Sequence, residues 1–427
     1  MVHSAGHGKN NDVPTIPKSQ PAVVWWAWTG VAWLVFWAYV LIRWVTGPYF
    51  TPVPTGAVDP PGWMNMIMTV WQVANYPLLA IGIYFFVIKP WRRNRTIPLD
   101  GMLIIAFMLM SLGDSCSNFF GYWYTVNSHF FNMGSFINDI PGWMGFGRPG
   151  AQVPWAIFFH PFEYTIGFFA FCFIGSGLMN FFRTRFNLKP LMLIIVVFPV
   201  CMVFDLVIEG LFQTLGFYTM AGGKISFFPD TYEKFPLIET FFIALMAVSV
   251  ISLRYFKNDK GETLVERGLN SMVISDVKKQ LVRCLALIGV TQCIFLFTYN
   301  IPIAAYMGSN PGPWPTDVIS RPYWNDGLCG AGTDRLCPGP GVPLTQQAWV
   351  TTLPAGQQVP EEDWISRSFE PATGKALRRD DGMRNPEFSD GKCRPFNSRF
   401  MGRESKDRCD TLLCIEGIKP NLPDWNW

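Results

Sequence analysis

The sequence predicts an all-α integral membrane protein: a bundle of about seven transmembrane helices with an irregular, disulfide-stapled extracytoplasmic C-terminal cap. Half of the 427 residues are hydrophobic and only 15% are charged, against about 25% charged in soluble domains. Seven apolar runs reach the length of about 20 residues that crosses a bilayer core. Positive charge is also unevenly shared between the connections. This composition excludes a soluble enzyme.

The seven apolar runs define the domains. They cover residues 22–45, 64–88, 102–120, 154–180, 190–215, 236–253 and 282–306. The first run carries several tryptophans, including Trp25, Trp26 and Trp28, instead of a small-residue cleavage site, so it predicts a retained anchor helix and not a signal peptide. We therefore expect an N-terminal tail at 1–21, a seven-helix domain at 22–306 and a C-terminal cap at 307–427.

The distribution of Lys and Arg predicts the orientation, because positive residues stay on the cytoplasmic side. With the N-terminus inside, the tail and the connections on that side hold sixteen of these residues. The outer connections hold four: Arg43, Arg148, Lys224 and Lys234. Seven helices then deliver the cap to the extracytoplasmic side of the cytoplasmic or inner membrane. The charged stretch 254–279 is interpreted as a solvated loop with an interfacial helix.

The cysteines divide between helices and cap. Five lie inside apolar helices, where packing is their usual role; the others are Cys329, Cys337, Cys393, Cys409 and Cys414 in the cap. A cap rich in Pro and Gly needs cross-links, and an oxidising compartment permits them. We expect at least one disulfide, with Cys329 to Cys337 the favoured pair. No C-x-x-C pair indicates zinc or thioredoxin chemistry.

Five acidic residues interrupt the apolar runs: Asp114, Glu163, Asp205, Glu209 and Glu239. An ionisable side chain at the centre of a membrane helix costs about 2.5 to 3.5 kcal/mol on insertion scales, so such residues usually mark a site. Because successive helices alternate in direction, all five fall in the outer half of the bilayer. The sequence therefore predicts one polar cavity that opens toward the outer leaflet or extracytoplasmic water.

Asp205 and Glu209 are four residues apart and share a helix face. Two carboxyl groups in apolar surroundings do not both ionise cheaply, which leaves a neutral acid beside a carboxylate, as general acid and base catalysis requires. The alternative is structural: the acids hydrogen-bond neighbouring helices through Asn75, Asn118 or tyrosines. His160, three residues before Glu163, either transfers a proton, holds a substrate oxygen or forms an ordinary interhelical hydrogen bond.

Polar residues near the expected opening are candidates for holding substrate: Asn118, Asn127, His129 and Gln213. The chain has four histidines, too few for the multi-histidine iron sites of membrane hydroxylases. A metal site built from His129, His160, Glu163 and an aspartate lacks a compact ligand motif. We therefore expect no metal.

Several segments resemble the AveC-like spirocyclase family, known from bacterial polyketide biosynthesis. They run in order as GDSCSNFFGYWYTVNSHFFNMGSF, FFHPFEY, DLVIEGLFQTLGFY, FPLIE, SLRYFKNDKGETLVERG, YNIP and WPTDVISRPYWNDGLCGAGTDRLCP. The resemblance spans about residues 100–343. It implies closure of a dihydroxyketone into a spiroketal, followed in some members by dehydration. That chemistry requires no redox cofactor.

The residues and the resemblance together predict a membrane-embedded cyclase or dehydratase that uses intramembrane carboxyl groups. The expected partners are a hydrophobic small-molecule or lipid-like substrate and membrane lipids, with no nucleic acid. The alternative is a non-catalytic membrane subunit or lipid-binding protein that docks a protein partner through the C-terminal cap. Loss of activity on substitution of Asp205 or Glu209 distinguishes an enzyme from such a subunit.

Overall fold

The computed structural model describes residues 21–53, 55, 59–143, 153–309, 312, 314–315, 318, 321–325 and 328, with two short segments at 383–384 and 414–415. Within these residues, seven helices are long and apolar enough to cross a membrane. They are α1 (Ala22–Thr46), α2 (Gly62–Asn94), α3 (Leu99–Asn118), α4 (His160–Phe186), α5 (Pro190–Thr214), α6 (Leu237–Tyr255) and α7 (Asp276–Ser309). The seven predicted runs are confirmed, with ends shifted by six residues or fewer.

The outer surface of the helices is apolar. Val70 and Val73 of α2 are 63% and 69% exposed, and Ile195 and Val203 of α5 are 52% and 63% exposed. A water-soluble protein rarely exposes such a continuous apolar surface, whereas a bilayer covers it and leaves the helices to satisfy their own backbone. The helices and their surface together indicate an integral membrane protein.

Two contacts define the ends of the bundle. Strand β1 (Thr125–Val126), between α3 and α4, pairs antiparallel with β2 (Tyr218–Thr219), between α5 and α6. At the opposite end, Arg254 of α6 donates two hydrogen bonds of 2.9 Å to the Asp100 carboxylate of α3. We call the end with β1 and β2 the acid end, and the end with Arg254 and Asp100 the basic end.

The remaining strands are short. β3 (Ser226–Phe227) pairs antiparallel with β4 (Phe235–Pro236) in the connection before α6. β5 (Met383–Arg384) pairs antiparallel with β6 (Cys414–Ile415), and Pro322–Asn325 forms one helical turn. The predicted disulfide positions Cys329, Cys337, Cys393 and Cys409 lie outside the described residues, and only the backbone of Cys414 is described.

Several helices depart from regular α geometry at the acid end. α3 finishes in the 3-10 segment Ser111–Asn118, α4 contains the π-helical segment Glu163–Gly167, and α7 contains the π-helical segment Leu296–Asn300. Such segments rotate the following side chains relative to a regular helix and are frequent at functional sites. Here they carry Asp114, Glu163 and Tyr299.

The charged stretch 254–279 has exposed residues, such as Lys260 and Lys278, as expected of a solvated loop, and it also contains a buried turn. Thr263 and Glu266 form a capping box, and both are almost fully buried, at 0% and 1% exposure. Arg283 of α7 binds the Glu266 carboxylate. Burial of charge here is stabilised by the ion pair and backbone hydrogen bonds, so the segment forms a layer over this end of the bundle.

Candidate functional site

A cavity of about 350 Å³ lies at the acid end of the bundle. It is within the size range of small-molecule sites. The five helices α3 to α7 contribute to its wall, with Trp71 from α2. All five intramembrane acids and His160 line it: Asp114, His160, Glu163, Asp205, Glu209 and Glu239. The structure thus brings together every residue that the sequence analysis put forward for acid–base chemistry.

Asp205 of α5 and Glu239 of α6 place their carboxyl groups in hydrogen-bonding contact. The two residues are only 4% and 1% exposed. Asp205 Oδ2 and Glu239 Oε2 meet no N–H or O–H donor of the described protein, while the Tyr299 hydroxyl donates to Glu239 Oε1 at 3.2 Å. Two facing carboxylates out of water do not both stay ionised. The pair therefore retains a proton and forms a neutral acid beside a base.

The partner of Asp205 differs from the one that helical spacing suggested. Glu209, four residues along α5, accepts a hydrogen bond from the Tyr218 hydroxyl of β2. Glu239 of α6, and not Glu209, makes the hydrogen-bonding contact with Asp205. Packing of α6 against α5 brings Glu239 across, and within-helix spacing carries no information on that contact.

Asp114 of α3 is the second centre of the site. Its carboxylate accepts hydrogen bonds from the hydroxyls of Tyr124, at 2.8 Å, and Tyr164, and His160 Nε2 lies 3.4 Å from Oδ2. His160 Nδ1 lies 3.2 Å from the carbonyl oxygen of Ala156. Because a carbonyl only accepts, Nδ1 carries a hydrogen, and the other ring nitrogen, Nε2, faces the Asp114 carboxylate.

Aromatic donors hold the acids, and no motif in the sequence indicates these donors individually. Tyr124 and Tyr164 bind Asp114, Tyr218 binds Glu209, Tyr299 binds Glu239, and Trp71 Nε1 donates to Glu163 at 3.2 Å. Burial, reinforced by the Asp114 carboxylate, raises the pKa of Tyr124 well above its ordinary value, so it stays a donor. The sequence could have indicated these donors in one way: a buried tyrosine or tryptophan usually needs a polar partner, and the buried acids are such partners.

The four substrate-binding candidates do not line the cavity. Asn118 accepts from the backbone N–H of Trp123 at 2.9 Å, and Asn127 donates to the Gly216 carbonyl at 2.9 Å. The Gln213 amide lies 3.1 Å from two carbonyl oxygens of the α5–α6 connection. His129 lies 3.7 Å from Asp59. Three of the four, Asn118, Asn127 and Gln213, thus hydrogen-bond the backbone of irregular segments, where few N–H and C=O groups pair with each other.

The described residues contain no group of three or more His, Cys, Asp or Glu placed to hold a metal ion. The cysteines at Cys116, Cys172, Cys201, Cys284 and Cys293 form no disulfide. The arrangement that remains consists of carboxyl groups, one imidazole and phenols around an apolar space. Such a set transfers protons and stabilises positive charge.

Comparison with protein families matches residues 91–324, more than half of the chain, to the family described as Spirocyclase AveC-like. Comparisons with curated proteins and with solved structures gave no match. The matched range includes every residue that lines the cavity except Trp71. The chain therefore belongs to the Spirocyclase AveC-like family.

Proposed function

We propose that the protein is a membrane-embedded cyclase or dehydratase that closes a hydrophobic dihydroxyketone into a spiroketal-type ring system by acid–base catalysis. The observation that carries the proposal is the Asp205–Glu239 pair: two buried carboxyl groups in contact, each with an oxygen that meets no donor, on the wall of a cavity. Membership of the spirocyclase family supports a cyclase-type role.

The first step forms a hemiketal. A substrate hydroxyl oxygen bonds to the ketone carbon while the neutral carboxyl of the pair gives its proton to the carbonyl oxygen. The partner carboxylate takes the proton from the attacking hydroxyl. Concerted transfer of this kind is general acid and base catalysis, worth about a hundredfold or more in rate, and the pair ends the step with one proton, as it began.

The second step exchanges water for the second hydroxyl. The pair protonates the hemiketal hydroxyl, and the bond between that oxygen and the ketal carbon breaks. Water departs, and the remaining substrate is an oxocarbenium ion. The second substrate hydroxyl then bonds to that carbon and returns its proton to the pair. The sum is loss of one water, with no electron transfer and therefore no redox cofactor.

Asp114 and the apolar wall have supporting roles in this proposal. A carboxylate held by Tyr124, Tyr164 and His160 is pre-oriented, and a fixed negative charge stabilises a nearby cation more strongly in an apolar cavity than in water. Phe159 and Phe212 belong to the apolar wall. A wall of this kind limits water, which would otherwise reverse the dehydration.

The proposed orientation follows from the charges of the connections. Arg and Lys residues concentrate on the connections at the basic end, so we place that end and the N-terminus in the cytoplasm. The acid end and the cap at 307–427 then face the extracytoplasmic side. The cavity lies in the outer half of the bilayer in this arrangement.

A metabolite comparison between a deletion strain and its parent tests the function. We expect the deletion strain to lose one product and to accumulate a precursor that is heavier by one water. Membranes containing the protein should convert the isolated precursor into the product. An unchanged metabolite profile, with a partner protein that co-purifies only when residues 307–427 are present, would instead favour a non-catalytic subunit.

A further inference from the structure

We propose that substrate enters the cavity sideways from the lipid, through an opening between α4 and α5, and that it has a neutral oxygenated head on an apolar chain. The head reaches Asp205 and Glu239, while the chain remains in the opening. This inference rests on the proposed function for the identity of the bound molecule as substrate, and it adds the route and the chemical class.

The cavity is covered at the acid end. The connections contribute Trp123, Tyr124, Val126, Tyr218 and Met220 to its wall. Each of them is 7% exposed or less. In the part of the chain that the structure describes, these side chains separate the acids from the solvent beyond the acid end. A molecule that arrives from that side meets a packed aromatic layer.

The exposed part of the wall lies on two neighbouring helices. Gly167 and Ala170 of α4 and Phe204 of α5 line the cavity and are also exposed on the outer surface. Val203 and Val207, beside Phe204 on α5, are 63% and 61% exposed. The opening is therefore set in the apolar surface that faces lipid.

Side-chain size shapes the opening. On the side toward the basic end, the rings of Phe171 and Phe204 meet at 4.7 Å between centroids. Toward the acid end, Gly167 carries no side chain, and a Cβ added there would lie 3.6 Å from Glu163 Oε2. The absence of a side chain at Gly167 thus leaves the Glu163 carboxyl group close to the exposed surface of α4.

The chemistry of the wall selects the head group. At the deep end, Asp205 Oδ2 and Glu239 Oε2 are buried without a donor, so they fit a hydroxyl or carbonyl group that shares their proton. Five carboxyl groups line the cavity, and His160 is the only basic side chain among the lining residues. This charge balance opposes a carboxylate, phosphate or sulfonate head. An apolar chain fits the lipid-facing opening.

Photolabelling in lipid nanodiscs tests the route without turnover. The probe is a long-chain diol that carries a photoactivatable diazirine close to its hydroxyl groups; an alkyl sulfonate of equal chain length, with the diazirine at the same position, is the anionic control. We expect the diol to label the deep residues Met220 and Tyr299, and the sulfonate to label only the outer surface near Val203.

Ala170→Trp and Gly167→Phe place bulk in the opening, and we expect each to abolish labelling of Met220 and Tyr299 by the diol. The matched control is Gly177→Trp on the same helix, where the site is exposed and an added Cβ meets nothing within 4 Å. The diol should label Met220 and Tyr299 in this variant as it does in the wild-type protein. Thermal unfolding of all variants establishes that they are folded.

Undiminished deep labelling in both blocked variants would overturn the lateral route, and equal loss in Gly177→Trp would do the same. Deep labelling by the sulfonate equal to that by the diol would overturn the neutral head group. Since labelling needs no catalysis, these results are independent of turnover. A failure of the proposed function appears instead as normal turnover in carboxyl-to-amide variants.

Discussion

Asp205 of α5 and Glu239 of α6 contact each other through their carboxyl groups inside the helical bundle. The two residues are only 4% and 1% exposed. Burying two acids side by side costs free energy that an apolar pair would not. The two helices also pack through apolar side chains, such as the rings of Phe198 and Phe241. We interpret the pair as a stability cost retained for chemistry.

That interpretation predicts the effect of amides on stability. The double variant Asp205→Asn with Glu239→Gln should unfold at the wild-type temperature or above, because two neutral amides hydrogen-bond each other without a buried charge. Thermal unfolding in detergent measures this. The control is Glu262→Gln, which should unfold earlier, because Glu262 accepts hydrogen bonds from Asn258 Nδ2 and the Asn270 backbone N–H. A large loss of stability in the double variant would mean that the pair is structural.

Tyr164→Phe tests the role of Asp114. It removes one hydroxyl that donates to the Asp114 carboxylate, and a hydrogen bond to a charged group contributes about 1.5 to 3 kcal/mol. If that bond orients Asp114 in the transition state, turnover should fall roughly tenfold to a hundredfold, because 1.4 kcal/mol is a factor of ten. Tyr84→Phe, on the exposed surface of α2, is the control. Unchanged turnover in Tyr164→Phe would show that the Tyr164 hydrogen bond does not orient Asp114 in the transition state.

Lys234 should make stability depend on pH. Burial lowers the pKa of Lys234 from 10.5 to about 8, although Asp230 acts in the opposite direction. Between those values the unfolded chain binds more protons than the folded chain, so stability should rise with pH from about 8 to 10.5, by at most about 3 kcal/mol.

Thermal unfolding measured across that pH range checks the effect of Lys234. The rise should disappear in Lys234→Met and persist in Lys224→Met, which alters an exposed lysine of the same connection. Lys234→Met also removes the hydrogen bond to the Ala221 carbonyl, 2.8 Å long, and that contribution is lost at every pH in the range. An identical pH profile in the two variants would show that Lys234 titrates normally.

The orientation of the chain is tested by fusions to alkaline phosphatase, which is active only outside the cytoplasm. A fusion after Trp427 should be active, and one after Lys260 inactive. The extracytoplasmic side also permits the predicted disulfide between Cys329 and Cys337. Alkylation followed by intact-mass analysis should find both cysteines protected until the protein is reduced. An active enzyme after Lys260 would contradict the orientation, and free thiols at all five cap cysteines would contradict the disulfide.

The fold was predictable because its main constraint is simple. Seven apolar runs of bilayer length determine the helices. Because consecutive helices cross the membrane in opposite directions, the sequence also determines which helix ends lie on the same side of the membrane. Asp114, His160, Glu163, Asp205 and Glu239 therefore reach one cavity in the structure as the depth argument expected. Lateral packing is not encoded in hydropathy, so the sequence paired Asp205 with Glu209 instead of with Glu239.

The roles of the polar residues near the acid end could not be predicted from the sequence. Asn118, Asn127 and Gln213 were assigned to substrate, but they hydrogen-bond backbone groups over the cavity. An asparagine or glutamine that binds a ligand cannot be distinguished in the sequence from one that hydrogen-bonds the backbone of a turn. Only the path of the backbone distinguishes them, and that path depends on contacts between distant segments such as β1 and β2.

The most direct test of the account is the turnover of Asp205→Asn and Glu239→Gln in membranes, with the precursor identified by the metabolite comparison. Each amide keeps the size of the side chain and removes its titrating proton, so each should lose about a hundredfold in turnover. The double variant should be no worse than either single one, because the two groups act as a unit. Asp276→Asn, exposed at the basic end, should match wild type. If both amide variants turn over the precursor at the wild-type rate, the Asp205–Glu239 pair is not the catalyst.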